Sequence, residues 1–167
     1  VAIENARLFK SERRYRETLE TLAEIGREMS SILDLDVLLT RIASLTKRLI
    51  DYRTFGILLL NEDTQQLDVK FAVRYGDNAT SKHVKLGEGL VGWAARHKEP
   101  VCVADVSQDD RYVGLVPDVR SELVVPMLIK DRCIGVFDLE SPELGAFTNE
   151  HTELLTLLAS QAAVAIE

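Results

Sequence analysis

Two predicted β-hairpins constrain the fold of this chain more than any other feature. In the first, an apolar segment from Thr54 to Leu60 is followed by turn-forming residues 61–64 and by alternating apolar and polar residues from Leu67 to Tyr75. The second connects Ser121–Ile129 to Cys133–Glu140 through a three-residue turn. Hairpin strands are antiparallel, and the alternation predicts that the first hairpin buries one face.

Helical patterns precede, separate and follow the hairpins. The first of them has no proline and repeats apolar residues at steps of three, four or seven, which predicts one long amphipathic helix. Asp34 and Thr148 can cap the second and the last helix. The predicted helices are residues 4–31, 36–50, 90–97 and a last one from residue 148 to the end.

The apolar stripe of the first helix is narrow and close to a heptad seam. Such a stripe packs either on its own domain or against the same helix of a second copy, and both alternatives stay open. The residues of this stripe, the candidate dimer helix, are Leu8, Tyr15, Leu19, Leu22, Ile25 and Met29.

The two ends of the chain share the same four-residue sequence. Residues 1–4 and residues 164–167 both read Val-Ala-Ile-Glu, which indicates a tandem array or a boundary inside a continuous linker helix. We therefore expect residues 1–31 to form an N-terminal linker or dimerisation helix, whose start is the tail of a preceding module. Residues 32–167 are expected to form the main domain, which ends in an output helix.

Composition narrows the class of protein. The 167 residues fit one ordinary domain, and the net charge of −7 without a basic cluster predicts no contact with nucleic acid or membrane. No apolar segment is long enough to span a bilayer and no signal peptide is present, so we expect a cytoplasmic location. Cys102 and Cys133 are interpreted as buried free thiols, and no metal site is expected.

The chain offers no pattern typical of a catalytic centre. Residues 87–92, Gly-Glu-Gly-Leu-Val-Gly, match a dinucleotide fingerprint in form but lack the βαβ context that it needs. We interpret these glycines as residues that permit a sharp turn and a close approach of the next helix. His83, His97 and His151 are scattered and are interpreted as surface residues, so we expect no catalytic residue.

Five separated segments stand out together: residues 87–94, 99–106, 121–127, 135–140 and Phe147 with the helix after it. In this order they resemble the GAF family, and the resemblance covers about Leu22 to Glu167. The resemblance implies an α/β fold of the α+β class, with about six antiparallel strands in the order 2-1-5-4-3 with variations. The N- and C-terminal helices pack on one face, and a short helix and loops enclose a possible ligand pocket on the other.

Departures from the known GAF subtypes are informative. Members that bind cyclic nucleotides carry residue pairs that Glu143-Leu144 and His151-Thr152 do not match. Members that bind bilins use a cysteine commonly followed by His or Phe, whereas Val103 and Ile134 follow the two cysteines here. Free-methionine-sulfoxide reductases use several cysteines in pocket loops, and two strand cysteines match that pattern poorly. No cofactor is identified.

The resemblance leads to an expectation of function. We expect a non-enzymatic regulatory sensory domain of a cytoplasmic signalling protein, which binds a small ligand, dimerises, or both, and passes a signal through its flanking helices. A ligand-free dimerisation spacer in a tandem array is the alternative, and a reductase-like enzyme is a third. Expected partners are a second copy through the terminal helices, an unknown small molecule, and an attached output or tandem sensory domain.

A pocket would lie between the sheet and the segment from Leu90 to Val113. Aromatic and acidic side chains on that face are the candidate ligand-binding residues, although aromatic residues on alternating strand positions are usually core. The candidates are Phe71, Val73, Trp93, Asp105, Tyr112, Glu122 and Asp138.

Overall fold

An antiparallel sheet of six strands forms the centre of the computed structural model, which describes residues 1–73, 83–114 and 116–167. The strands lie in the order β3-β2-β1-β6-β5-β4. Without the short edge strand β3 this is the predicted order 2-1-5-4-3, so the α+β fold is confirmed. The strands are β1 Thr54–Asn61, β2 Gln66–Val73, β3 His83–Lys85, β4 Val101–Val103, β5 Ser121–Ile129 and β6 Arg132–Ser141.

Four helices were found among the described residues: α1 Ala2–Ser30, α2 Leu35–Leu49, α3 Gly89–His97 and α4 Asn149–Ile166. Two predicted caps are present. The Asp34 carboxylate accepts the Val37 N–H at 3.0 Å, and the Thr148 hydroxyl accepts the His151 N–H at 3.2 Å. None of the helices in the described ranges is long and apolar enough to cross a membrane.

The larger core lies between the sheet and the helices α1, α2 and α4. We call this side of the sheet the helix face. Met29, Ile42, Phe55, Phe137 and Leu155 are fully buried there. Burial of each such side chain contributes roughly 1.5–3 kcal/mol, so this face supplies much of the stability.

A smaller core lies on the other side of the sheet, which we call the cavity face. Leu90 and Ala94 of α3 pack there against Leu67, Val124 and Val136 of the strands. The apolar contacts of α3 therefore fix its position over β5 and β6. The polar residues described below occupy the rest of this face.

A β-bulge in the first hairpin corrects the prediction that this hairpin buries one face. Ile57 pairs with Phe71 but Leu58 pairs with Val69, so Lys70 is an extra residue in β2. Because side chains alternate along a strand, the extra residue turns Phe71 to the helix face while Val69 stays on the cavity face. The strand thus places apolar residues on both faces.

The stripe of α1 divides into two halves. Leu22, Ile25 and Met29 are buried in the domain's own core, so this half packs in cis. Every residue from 1 to 21 is exposed, and Leu8 and Tyr15 are exposed to 64% and 66%. The first half of α1 therefore projects from the domain with its apolar residues uncovered by this chain. The division at residue 31 stays a prediction.

Candidate functional site

Three acidic side chains meet on the cavity face of β5 and β6. Glu122 lies directly opposite Glu140 in the β5–β6 register, and Asp138 precedes Glu140 by one strand period. One carboxylate oxygen of each residue lies within 4.8 Å of the others. The residues are only 4–5% exposed, which is unusual because an ionised carboxylate is costly to bury. We call these three residues the acidic trio.

The acidic trio forms one wall of a cavity of about 80 Å³. The opposite wall is the N-terminal turn of α3, with Tyr112 and Val113 at the side. Gly56 of β1 pairs with Asp138, and a Cβ at Gly56 would lie 3.7 Å from the Asp138 Cβ. The remaining lining residues are His83, Val84, Glu88, Gly89, Leu90 and Val91.

The glycines of residues 87–92 bring α3 to this position. Gly87 has φ +93°, which strongly favours glycine. A Cβ on Gly92 would lie 2.4 Å from the Lys85 carbonyl oxygen, so only glycine permits this approach of α3 to β3. The structural interpretation of the glycine motif is confirmed. Among the described residues no side chain caps the N-terminus of α3, and the residues of its first turn line the cavity with their backbone N–H groups uncapped.

The electrostatics of the cavity follow from burial. Burial, and then the charge of Glu140, raise the pKa of Glu122 to about 8. Burial, and then the charges of the acidic trio, raise the pKa of Tyr112 to about 12. At neutral pH the Glu122 carboxyl therefore holds a proton for most of the time, and the Tyr112 phenol stays protonated. Such a site favours a cation and can donate protons.

An aromatic and ionic network holds Tyr112 beside the cavity. Arg111 makes a bidentate pair with Asp109, with Nη2–Oδ2 at 2.6 Å and Nε–Oδ1 at 2.9 Å. The same guanidinium lies 4.7 Å from the centre of the Trp93 ring, which stacks on His97 at 4.1 Å. The pKa of Asp109 is lowered, mainly by its hydrogen bonds with Arg111. The network connects the segment before Tyr112 to α3.

The structure separates the predicted ligand-binding residues into two groups. Tyr112, Glu122 and Asp138 line the cavity, and Trp93 supports it through Arg111. The other three candidates lie outside the described lining. Phe71 packs on the helix face because of the bulge, Val73 is 42% exposed, and the Asp105 carboxylate caps the turn at Val106–Gln108 by accepting the Ser107 N–H. Ligand binding by any of these residues stays a prediction.

Sequence reasoning missed three titratable residues of the lining. Glu140 follows Asp138 by two residues on a strand, so alternation alone could have placed it on the same face. His83 is exposed, as expected, but it also borders the cavity, and its Nδ1 lies 2.7 Å from Asp68 Oδ1. Glu88 gave no signal, because its position depends on how the glycine turn folds.

Neither of the chain's two cysteines is among the residues that line the cavity. Cys102 lies on the edge strand β4, where its thiol donates to the Phe147 carbonyl at 3.6 Å. Cys133 starts the apolar part of β6, and its thiol donates to the Gly135 carbonyl at 3.2 Å. Burial raises the pKa of both thiols, because the Cys102 sulfur is partly buried against Phe147 although the residue as a whole is exposed. The prediction of buried thiols is confirmed for Cys133 but wrong for Cys102, which is exposed because β4 lies at the sheet edge.

Comparison with known proteins gives relatives that are enzymes. The free methionine-R-sulfoxide reductase of Escherichia coli (strain K12) is 27% identical over 147 residues, which are 85% of this chain and 86% of that protein. A solved structure of the Neisseria meningitidis free methionine-R-sulfoxide reductase with its substrate has a TM-score of 0.78 at 24% identity. The alignment covers 89% of this chain and 87% of that one.

A GAF domain from a non-reductase protein is similar too. The GAF domain of the Coxiella burnetii phosphoenolpyruvate-protein phosphotransferase has a TM-score of 0.77 at 19% identity, with 89% of this chain and 92% of that one covered. At this identity the likeness shows the fold alone.

These relatives correct the expected function. The chain was interpreted as a non-enzymatic sensory or spacer domain of a signalling protein, and a reductase-like enzyme was the least favoured alternative. A named enzyme instead matches most of the chain, so the non-enzymatic interpretation and its signalling role are wrong. The mismatch of Cys102 and Cys133 with the reductase cysteines led to the wrong prediction, because a comparison of cysteines says nothing about the carboxylates that line the cavity.

The family itself is shown by a match over most of the sequence. A sequence model described as "GAF domain" matches residues 32–167, which include all the described strands and three of the four described helices. The chain therefore belongs to the GAF domain family.

Proposed function

We propose that this chain is an enzyme of the free methionine-R-sulfoxide reductase type, whose acidic cavity binds the free amino acid. The observation that carries the proposal is the acidic trio, which lines one cavity together with the N-terminal turn of α3, a turn that no described side chain caps. A free amino acid has an ammonium group that suits buried carboxylates and a carboxylate that suits helix N–H groups. The names of the relatives supply methionine-R-sulfoxide as the substrate.

The proton held by Glu122 gives the site a chemical role. A sulfoxide oxygen must take up protons before it leaves as water, and a carboxyl group with a pKa of about 8 can donate one at neutral pH. The thiol of a reductant then gives its proton to the same oxygen and attacks the sulfoxide sulfur as water leaves. A second thiol gives its proton to the Glu122 carboxylate and attacks the new sulfur–sulfur bond, which releases methionine and leaves a disulfide of the reductant.

The thiols in this scheme come from a co-substrate. Cys102 lies beside Phe147 and Cys133 beside Gly135, and neither lines the cavity. Both thiols also have a raised pKa, which lowers the thiolate fraction that attacks sulfur. A small dithiol that reaches the cavity mouth beside the half-exposed Val113 is the reductant that this arrangement requires.

A reduction assay tests the proposal. The purified chain is incubated with L-methionine-R-sulfoxide and dithiothreitol, and the methionine formed is measured by chromatography. We expect turnover by wild type, loss of at least about tenfold in Glu122→Gln, and no change in Glu143→Gln, whose exposed side chain lies outside the cavity. If wild type forms methionine no faster than buffer with dithiothreitol alone, the enzymatic part of the proposal is contradicted.

The cysteines provide a second arm of the same assay. We expect a Cys102→Ser, Cys133→Ser double variant to retain turnover with dithiothreitol, because the reductant supplies both thiols. Loss of turnover in a folded double variant would contradict the co-substrate role and assign the attacking thiol to the chain itself.

We also propose that the exposed half of α1 pairs with a second copy of this chain. Leu8, Tyr15 and Leu19 lie on one stripe and are exposed in the single chain.

The two free thiols fit a reducing compartment, so we also propose a cytoplasmic location.

A further inference from the structure

A second and larger cleft lies at the opposite end of α3 from the acidic cavity. It has a volume of about 730 Å³ and is bordered by the C-terminal turn of α3, the turn between β5 and β6, and Glu167. This size is typical of small-molecule sites. We call it the basic cleft, after the residues Arg96, Lys98, Lys130 and Arg132 that line it.

The basic cleft concentrates positive charge in an acidic protein. Four basic residues line it against two acidic ones, although the whole chain has a net charge of −7. Arg132 is already paired with Glu62 and Glu167. Across residues 1–73, 83–114 and 116–167, the other three basic residues of the cleft make no ion pair. Their charges are available to a ligand.

The backbone of the cleft contains two lysines in an unfavourable conformation. Lys98 has φ +59° at the C-terminus of α3, and Lys130 has φ +54° in the β5–β6 turn. Glycine or asparagine is the usual residue in this left-handed region, so lysine costs stability at both positions. Two independent turns thus carry a strained residue, and in both cases it is a lysine that lines the same cleft.

Compensation of the helix dipole explains only one of the two lysines. A cation at the C-terminus of a helix is favourable, which suits Lys98. Lys130 lies in a hairpin turn that has no such dipole. A shared anionic ligand accounts for both positions, and the apolar floor formed by Leu60, Leu86, Ala95 and Ile129 can take an apolar part of that ligand.

We infer that the basic cleft is a binding site for a small phosphorylated molecule that carries at least two negative charges. The α3 side contributes Arg96 and Lys98, and the hairpin side contributes Lys130, so the ligand bridges the two turns. This site is separate from the acidic cavity, whose three acidic side chains disfavour a ligand with several negative charges. The inference therefore does not depend on the proposed reductase activity.

The left-handed backbone permits a test that preserves the fold. Glycine is the preferred residue at φ near +60°, so a Lys98→Gly, Lys130→Gly double variant removes two charges without adding strain. Gln65→Gly is the matched control, because Gln65 has φ +54° but does not line the cleft. Binding of inorganic pyrophosphate and of ADP is measured by titration calorimetry at low salt.

We expect wild type and Gln65→Gly to bind both probes, and the double variant to bind at least about tenfold more weakly while it unfolds at the same or a higher temperature. ADP is expected to bind more tightly than pyrophosphate because of the apolar floor. Absence of binding by wild type at about 1 mM of either probe, or equal binding by the folded double variant, would overturn the inference.

Discussion

Glu122 is the residue whose surroundings define the site. It is buried on β5 beside Asp138 and Glu140, and its pKa is raised to about 8. A carboxyl group that prefers to be neutral in the fold favours folding at low pH. The contribution of neutral Glu122 to the stability of the fold is fully present below pH 4.5, the ordinary pKa of a glutamate. It is lost as the pH rises from 4.5 through 8.

This pKa predicts a pH-dependent effect of Glu122→Gln on stability. Between pH 5 and pH 8, burial of Glu122 lowers the free energy of unfolding of wild type by up to about 1.4 kcal/mol per pH unit, and glutamine removes this dependence. We therefore expect that the free energy of unfolding of the variant, relative to that of wild type, is at least about 1 kcal/mol higher at pH 8 than at pH 5. Urea unfolding of both proteins at pH 5 and pH 8 measures the difference, and an unchanged difference would refute the raised pKa.

Two residues show what the sequence pattern could and could not reveal at this scale. Glu140 could have been predicted, since it shares a face with Asp138 by simple strand alternation. Phe71 could not, because the extra residue Lys70 turns it to the other face, and no local pattern marks the bulge. Cys102 and Cys133 do not match the cysteine pattern of the reductases, and this mismatch led to the wrong expectation that the chain is not an enzyme.

At the scale of elements, α3 connects the two candidate sites. Its N-terminus borders the acidic cavity and its C-terminus borders the basic cleft. Gly92 allows the close approach to β3 that sets this position. The helices and strands were largely predictable, since caps such as Thr148 and tight turns mark their ends in the sequence. The approach of α3 depends on tertiary contacts that a local pattern does not contain.

Gly92→Ala is expected to destabilise the fold, although alanine is the better helix former. The gain in helix propensity is about 1 kcal/mol, but the new Cβ would meet a backbone oxygen at 2.4 Å, and we expect a net loss of about 2 kcal/mol. Thermal unfolding measures it. Gly26→Ala in α1 is the matched helical control, because the atom nearest its Cβ belongs to the flexible Gln161 side chain. A Gly92→Ala variant as stable as Gly26→Ala would show that the contact is not restrictive.

The exposed half of α1 predicts an assembly that depends on its apolar stripe. A Leu8→Glu, Tyr15→Glu double variant should become monomeric at concentrations where wild type is dimeric, because charges would face each other across the seam. Both side chains are exposed in the single chain, so the unfolding temperature should change little when the two are compared as monomers. Light scattering after size exclusion gives the mass, with Lys10→Glu as the control outside the stripe. A wild type that stays monomeric at high concentration would contradict the pairing.

At the scale of the whole molecule, the two faces of the sheet have different roles. The helix face supplies most of the apolar core, and the cavity face holds the candidate site. The helix face holds the larger core, with Phe55 and Phe137 fully buried. The cavity face holds fewer apolar contacts and three buried acids. Hydrophobic patterning predicts the first face well, since it depends on burial alone. It predicts the second face poorly, because clustering of Glu122 with Glu140 depends on strand register across a hairpin.

Titration calorimetry with free and amino-blocked substrate tests the central claim most directly. The acidic trio is proposed to bind the ammonium group of methionine-R-sulfoxide, so the free amino acid should bind while its N-acetyl derivative, which has no such charge, should bind at least about a hundredfold more weakly. Asp138→Asn should lose the preference, and Glu143→Gln should keep it. Equal binding of the two compounds to wild type, or no binding of either, would contradict the proposed site.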